Sequence, residues 1–150
     1  MNKLWFGIVA AAMLHAPLCS AAGTQPQSPR APERTYAQNY KDMVLATCMA
    51  KAYQGDRSAA MDAGSSISAL RDWTYYDLEK SPDAVNALVD AYLARDYRNP
   101  LAESEVKGVR FDMLKCLDLY HGKELDALVK QVVVNPKRTS IQDNPPARQK

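Results

Sequence analysis

The chain is short of the residues that carry most enzyme chemistry. Its 150 residues hold only two histidines, His15 and His121. There is no histidine pair, no CxxC and no EF-hand loop, which excludes the common zinc and calcium sites. Six glycines are scattered along it and none forms a phosphate-cradling run. Residues seldom alternate apolar and polar, which argues against β-strands. The apolar run Leu4–Leu14 is 11 residues long, too short for a bilayer that needs ~20. The centre also lacks a basic excess. Tyr36 to Val134 carries 12 Lys+Arg against 15 Asp+Glu, a net charge of −3, so the sequence pI of 8.4 comes from the two ends. Nothing there reads as a basic stripe for nucleic acid, and Lys137, Arg138, Arg148 and Lys150 read as a solvated tail.

What is present begins with an export pattern. Met1-Asn2-Lys3 is cationic, Leu4–Leu14 is apolar, and Ser20-Ala21-Ala22 supplies small residues before a cleavage at Gly23. Cys19 would support a lipid anchor only with a small residue before it, and Leu18 stands there. The chain thus divides into a signal peptide (1–22), a disordered Pro-rich leader (23–34), one domain (35–134) and a disordered tail (135–150). Export places the domain in the periplasm, where thiols are oxidised. Cys48 and Cys116 remain after cleavage, as a disulfide or as two free core thiols. The bond would contribute about 4 kcal/mol in the chain-entropy model.

The domain follows a 3.6-residue period and reads as all-α, a small bundle of about five helices. Thr35-Tyr-Ala-Gln38 has the form of a capping box. The first helix runs from there to Gln54, with Tyr36, Tyr40, Met43, Val44, Cys48, Ala50 and Tyr53 on one wide arc. Thr47 lies inside that arc and can bond back to the Met43 carbonyl. Asp56 caps the second helix, Arg57–Thr74, whose inner face is Ala60, Ala63, Ile67, Leu70 and Trp73. Ser81-Pro82-Asp83 starts the third with Ser81 as N-cap, and Val85, Leu88, Val89, Tyr92 and Leu93 point inward. Asn99-Pro100 marks a loop over 96–103. The fourth helix spans Ser104–His121 with Val106, Val109, Met113, Leu114, Cys116, Leu117 and Tyr120 on its arc, and Gly122 ends it. The fifth, Lys123–Val133, buries Leu125, Leu128, Val129 and Val132. A disulfide would tie the first helix to the fourth.

No catalytic constellation assembles from these elements. Cys116 and His121 diverge on one helix, and a disulfide would remove the nucleophile. His121 beside Gly122 suits the negative end of a helix dipole. The serines of Gly64-Ser-Ser-Ile-Ser68 lack a strand-to-helix elbow. No metal or cofactor is implied. Trp73-Thr-Tyr-Tyr-Asp77 reads as packing against the third and fourth helices. Tyr97-Arg-Asn-Pro-Leu101 stands out differently, as a loop between marked helices that carries interface-type residues, with Tyr97 as no more than a cap on the core as the other reading.

Four strings together resemble a known family. They are Leu45-Ala-Thr-Cys48, Leu70-Arg-Asp-Trp-Thr-Tyr-Tyr76, Tyr97-Arg-Asn-Pro-Leu101 and Lys115-Cys-Leu-Asp118. Over about 40–135 the chain is similar to the periplasmic immunity proteins that neutralise the fourth family of type VI secretion peptidoglycan amidases. The resemblance implies a helical homodimer that binds two amidase molecules in a 2:2 complex. It implies an inserted loop that blocks the cleft of a Cys–His amidase cutting the D-glutamyl–diaminopimelate bond. By position the inserted residues are Tyr97, Arg98, Asn99, Leu101 and Glu103, with the Tyr75–Lys80 connection as the other candidate. The inhibitor performs no chemistry. The rival reading is a periplasmic helical chaperone of the acid-stress type, whose dimer would dissociate as carboxylates protonate.

Overall fold

The computed structural model describes residues 27–145, so the expected signal peptide lies outside the described residues. Its elements are a 3-10 turn, Ala31–Glu33, followed by α1 (Tyr36–Ala52), α2 (Arg57–Asp72), α3 (Ser81–Leu93), α4 (Pro100–Glu105), α5 (Asp112–His121), α6 (Lys123–Val132) and α7 (Ser140–Asp143). Among the described residues there is no strand, only two isolated bridges, Thr35 with Thr139 and Tyr76 with Val133. None of these helices is long and apolar enough to cross a membrane.

Helix α1 is the axis of the bundle because its apolar arc is wide. Tyr36, Tyr40, Met43, Val44 and Cys48 are all buried, and α2, α3, α5 and α6 pack around them. The capping box at Thr35 and Gln38 forms as the sequence predicts, and Thr47 donates to the Met43 carbonyl at 2.9 Å. Asn39, absent from the predicted arc, is also fully buried. Its amide donates to the carbonyls of Ala31 at 2.8 Å and Trp73 at 3.0 Å. A buried polar group satisfied in this way stitches three segments together. Cys48 is bonded to Cys116, closing a loop of 68 residues between α1 and α5.

Several boundaries differ from the sequence reading, each for a physical reason. The single helix expected over Ser104–His121 is two and α7 is added beyond the fifth, so seven α-helices stand among the described residues where about five were expected, and the disulfide partner of α1 is α5. Gly108 (φ 76°) and Phe111 (φ 54°) are left-handed, a conformation that ends a right-handed helix. After this break the buried face of α5 is Asp112, Lys115, Cys116 and Leu119, while Val106, Met113 and Leu114 are exposed. Ser81 does not cap α3. Its hydroxyl pairs with the Tyr40 hydroxyl at 2.6 Å, and Asp77 takes the turn's free N–H groups of Glu79 and Lys80, each at 3.0 Å. Tyr75 and Tyr76 pack edge-on against Tyr36 and Tyr40 of α1, and Tyr76 also borders a hollow with Ser81, Pro82 and Val85 of α3. Helix α2 ends at Asp72, two residues before the expected Thr74.

The two segments read as disordered are built into the body where they are described. Ala31 is buried. Residues 136–143 fold over the start of α1, where Tyr36 N–H donates to the Arg138 carbonyl and Ala37 N–H to that of Pro136. These are N–H groups that a helix cannot satisfy itself. Tyr36 Oη donates to Asp143 at 2.6 Å, and Arg138 closes the cluster on the same carboxylate. A second capping box, Thr139 with Gln142, sits opposite the first. Composition alone hides this, because the attachments are polar and distant in sequence.

Candidate functional site

The segment from Arg95 to Asp112 stands away from the α1 axis and joins α3 to α5. Its first part is irregular, and its second is the short helix α4. Asn99 caps α4, its side-chain oxygen accepting from Leu101 N–H at 3.0 Å. Pro100 occupies the first turn, where a missing N–H costs nothing. The sequence reading of a loop through Glu103 is therefore corrected. Pro100 does not simply interrupt helix here; it begins one.

This places the five predicted residues in different settings. Leu101, on α4, is 80% exposed. Arg98 is exposed and its guanidinium grips Asp96, with Nε at 2.9 Å from Oδ1 and 2.8 Å from Oδ2. Arg98 beside Asp96 holds that carboxyl below the usual carboxylate range, and the carboxylate raises the guanidinium in return. So exposed a pair adds little stability, but it fixes where the arginine points. Asn99 is a capping residue. Glu103 is half-buried and accepts from the Gly108 N–H at 3.4 Å. Tyr97 is half-buried and donates its hydroxyl to Asp118 of α5 at 2.6 Å. The fold thus brings Tyr97, Arg98, Asn99 and Leu101 to one projecting edge and turns Glu103 to brace it.

Beneath that edge lies an open hollow of about 520 Å³, lined by Tyr97, Arg98, Asn99, Pro100, Phe111 and Leu114. Phe111 and Leu114 also border a neighbouring hollow of about 380 Å³ with Tyr53, Val109 and Met113. Exposed Leu101, Val106, Met113 and Leu114 make this end of the molecule unusually apolar for a surface. The rim is charged in both signs, with Arg95, Asp96, Arg98, Glu103 and Arg110 around a smaller hollow of about 250 Å³. An apolar centre with a charged rim is the anatomy of a protein-binding surface.

Residues that the sequence reading passed over support this edge from below. Lys115 donates to the Leu93 carbonyl at 3.0 Å and to Asp112 Oδ1 at 3.0 Å. Arg110 reaches the other Asp112 oxygen at 2.9 Å. The only sequence signal was the string Lys115-Cys-Leu-Asp118. Its i, i+3 spacing puts Lys115 and Asp118 on one face of α5, but not which loop that face meets. The other candidate connection, Tyr75–Lys80, is woven into the body. Asp77 N–H donates to the Val132 carbonyl and Val134 N–H to that of Tyr75, and only Tyr75 and Leu78 present large apolar surface there.

The Cys116–His121 pairing weighed in the sequence does not form. Cys116 is fully buried and bonded to Cys48, and His121 is exposed at the end of α5. Among the described residues no three His, Cys, Asp or Glu side chains converge as metal ligands.

Known proteins agree with the fold and extend it. A family model described as Tai4, type VI secretion system (T6SS) amidase immunity protein, matches residues 38–129. A solved chain from Serratia marcescens, from work on new type VI-secreted toxins and self-resistance proteins, is similar at 30% identity and a TM-score of 0.71. The match covers 83% of this chain and 98% of that one. A chain of the Tae4/Tai4 effector–immunity system from Salmonella typhimurium shares the fold at 22% identity and a TM-score of 0.60, over 70% of this chain and 96% of that one. No curated protein sequence matches. On the family match and the Serratia likeness, the chain belongs to the T6SS amidase immunity protein family, Tai4.

Proposed function

We propose that this protein is exported to the periplasm, forms a homodimer, and inhibits a Tae4-type peptidoglycan amidase by placing the edge Tyr97–Glu103 in its active-site cleft. The family match supports an amidase as the partner. The observation that carries the choice of surface is the exposed Leu101 beside a positioned Arg98, on a segment braced by α5. The Tyr75–Lys80 connection offers less, since its backbone is already paired with the body. Inhibition needs shape and affinity but no chemistry by the inhibitor. A braced edge loses little conformational entropy when it docks, and its mixed charges favour one partner over others.

The test mixes the mature chain, beginning at Gly23, with a Tae4-type amidase that has a Cys–His pair. Co-elution as a 2:2 complex and loss of wall-peptide cleavage are expected. Alanine at Arg98 and Leu101 should weaken inhibition by about tenfold or more, the scale of an interface anchor, while the helical spectrum and melting temperature stay unchanged. No complex with any such amidase defeats the proposal. Full inhibition by the double alanine variant defeats the choice of surface. N-terminal sequencing of the exported protein checks the cleavage site.

A further inference from the structure

We infer that Lys115 and Asp118 of α5 form a two-point clamp that positions the inhibitory edge through Tyr97, so that Tyr97 acts as an anchor rather than as a contact. This deepens the proposed function and rests on it only for its inhibitory readout.

The geometry is specific. Lys115 has a side chain only 6% exposed, and its carboxylate neighbour Asp112 only 9%. Its ammonium reaches the Leu93 carbonyl, the last residue of α3, at 3.0 Å. That carbonyl belongs to a helix end that has no partner of its own, and a cation is favoured there. The same ammonium bonds Asp112, the first residue of α5. One buried cation therefore joins the point where the chain leaves α3 to the point where it enters α5. These are the two ends of the projecting segment. The Tyr97 ring lies 5.9 Å from Lys115 Nζ, and its hydroxyl is held by Asp118 at 2.6 Å. Lys115 and Asp118 thus hold Tyr97 from one face of α5. Cys116, between them in sequence, points into the core and ties α5 to α1. The clamp is therefore mounted on a fixed support. Arg98, directly after Tyr97 in the chain, is held in turn by Asp96. A side chain as buried as Lys115 cannot be a principal contact for a docking partner. Any effect of its removal on inhibition must pass through the segment it holds.

Lys115→Met alone would leave Asp112 buried without its internal cation, so the decisive variant is Lys115→Met with Asp112→Asn. That pair removes both charges, keeps an oxygen for Arg110, and is expected to melt near the wild-type temperature. Hydrogen exchange of the free protein should speed up by about tenfold or more at the hydrogen-bonded amides of 94–99, those of Ala94, Arg95 and Arg98, with α1 and α6 unchanged, because a released segment opens locally. Affinity for the amidase that the wild type inhibits should fall by about tenfold, mainly as a slower association rate, since a loosened edge must be ordered on docking. A second arm uses Asp118. Asp118→Asn retains an acceptor for the Tyr97 hydroxyl and should inhibit like wild type. Asp118→Ala should reproduce both the faster exchange and the weaker inhibition. Unchanged exchange at 94–99 in both the Lys115 pair and Asp118→Ala overturns the clamp. So does faster exchange with undiminished inhibition. If the wild type itself inhibits no amidase, the proposed function has failed, while the exchange measurement still decides whether the clamp exists.

Discussion

Replacing Gly122 by alanine should destabilise the protein by about 2–5 kcal/mol. Gly122 joins α5 to α6, and its backbone (φ −72°, ψ 146°) suits any residue. The demand for glycine is one of space. A Cβ at this position would lie 2.4 Å from the Tyr92 hydroxyl, 3.0 Å from Glu124 Oε2 and 3.1 Å from the Asp118 carbonyl. Tyr92 cannot simply swing away. It is buried, its hydroxyl donates to Glu124 at 2.9 Å, and Arg95 stacks 3.4 Å from its ring centre. Losing a hydrogen bond to a charged acceptor costs about 1.5–3 kcal/mol, and overpacking adds about 1–3. The reduced freedom of the unfolded chain returns about 0.4–1, leaving roughly the stated loss. Urea unfolding at constant m reads it directly. Two controls define the argument. Gly55 and Gly64 have nothing within 4 Å of an added Cβ, and Gly64→Ala, inside α2, should stabilise by about 1 kcal/mol. Tyr92→Phe removes the obstructing oxygen, so the double variant should be less destabilised than the sum of the singles. Gly122→Ala as stable as Gly64→Ala, or strict additivity with Tyr92→Phe, would refute the reasoning.

Other outcomes follow from the same structure. Replacing both Cys48 and Cys116 by alanine should cost about 4 kcal/mol, the closure entropy of a 68-residue loop; a urea midpoint equal to that of the oxidised wild type would contradict it. The Asp143 carboxyl is held low first by Arg138 and then by the Tyr36 hydroxyl. Its stabilisation is therefore complete above the ordinary carboxylate value of about 3.9 and fades as pH falls through the lower folded value. Docking of residues 136–143 should loosen in that acidic window, seen as a fall in the protection of the Tyr36 and Ala37 amides relative to their intrinsic exchange rates at each pH, and Asp143→Asn should remove that acid-dependent fall in protection. Gly108→Ala should cost about 1 kcal/mol through its left-handed backbone alone, because nothing crowds the site. Thermal melts of the variant would test this.

How far the chain could be read before folding depended on the range of the deciding interaction. The bundle, the buried face of α1 from Tyr36 to Cys48, the capping box at Thr35 and the inner face of α6 all follow from residues close in sequence, and all stand in the structure, whereas Tyr53, expected on the same face, follows the end of α1 and is exposed. Local rules were misled where a distant partner competed. Ser81 has every mark of an N-cap, yet the Tyr40 hydroxyl takes it. Residues 135–144 look like a polar tail, yet they satisfy the open N–H groups of α1. The apolar residues Val106, Met113 and Leu114 fit a continued helical stripe, yet the left-handed turn at Gly108 and Phe111 rotates α5 and leaves them in solvent.

The amino-acid order by itself determined an all-helical domain with a cysteine pair fit for an oxidising compartment, because periodicity, caps and cysteine number are local properties. It also singled out Tyr97–Leu101 as an unusual connection. Only the tertiary structure decided that Tyr97 is held from α5, that Leu101 stands free on a short helix, and that a buried lysine spans the two ends of the segment. Those depend on the rotation of α5 about its axis and its distance from α3. Both are fixed by packing among residues far apart in the chain, which no local pattern encodes.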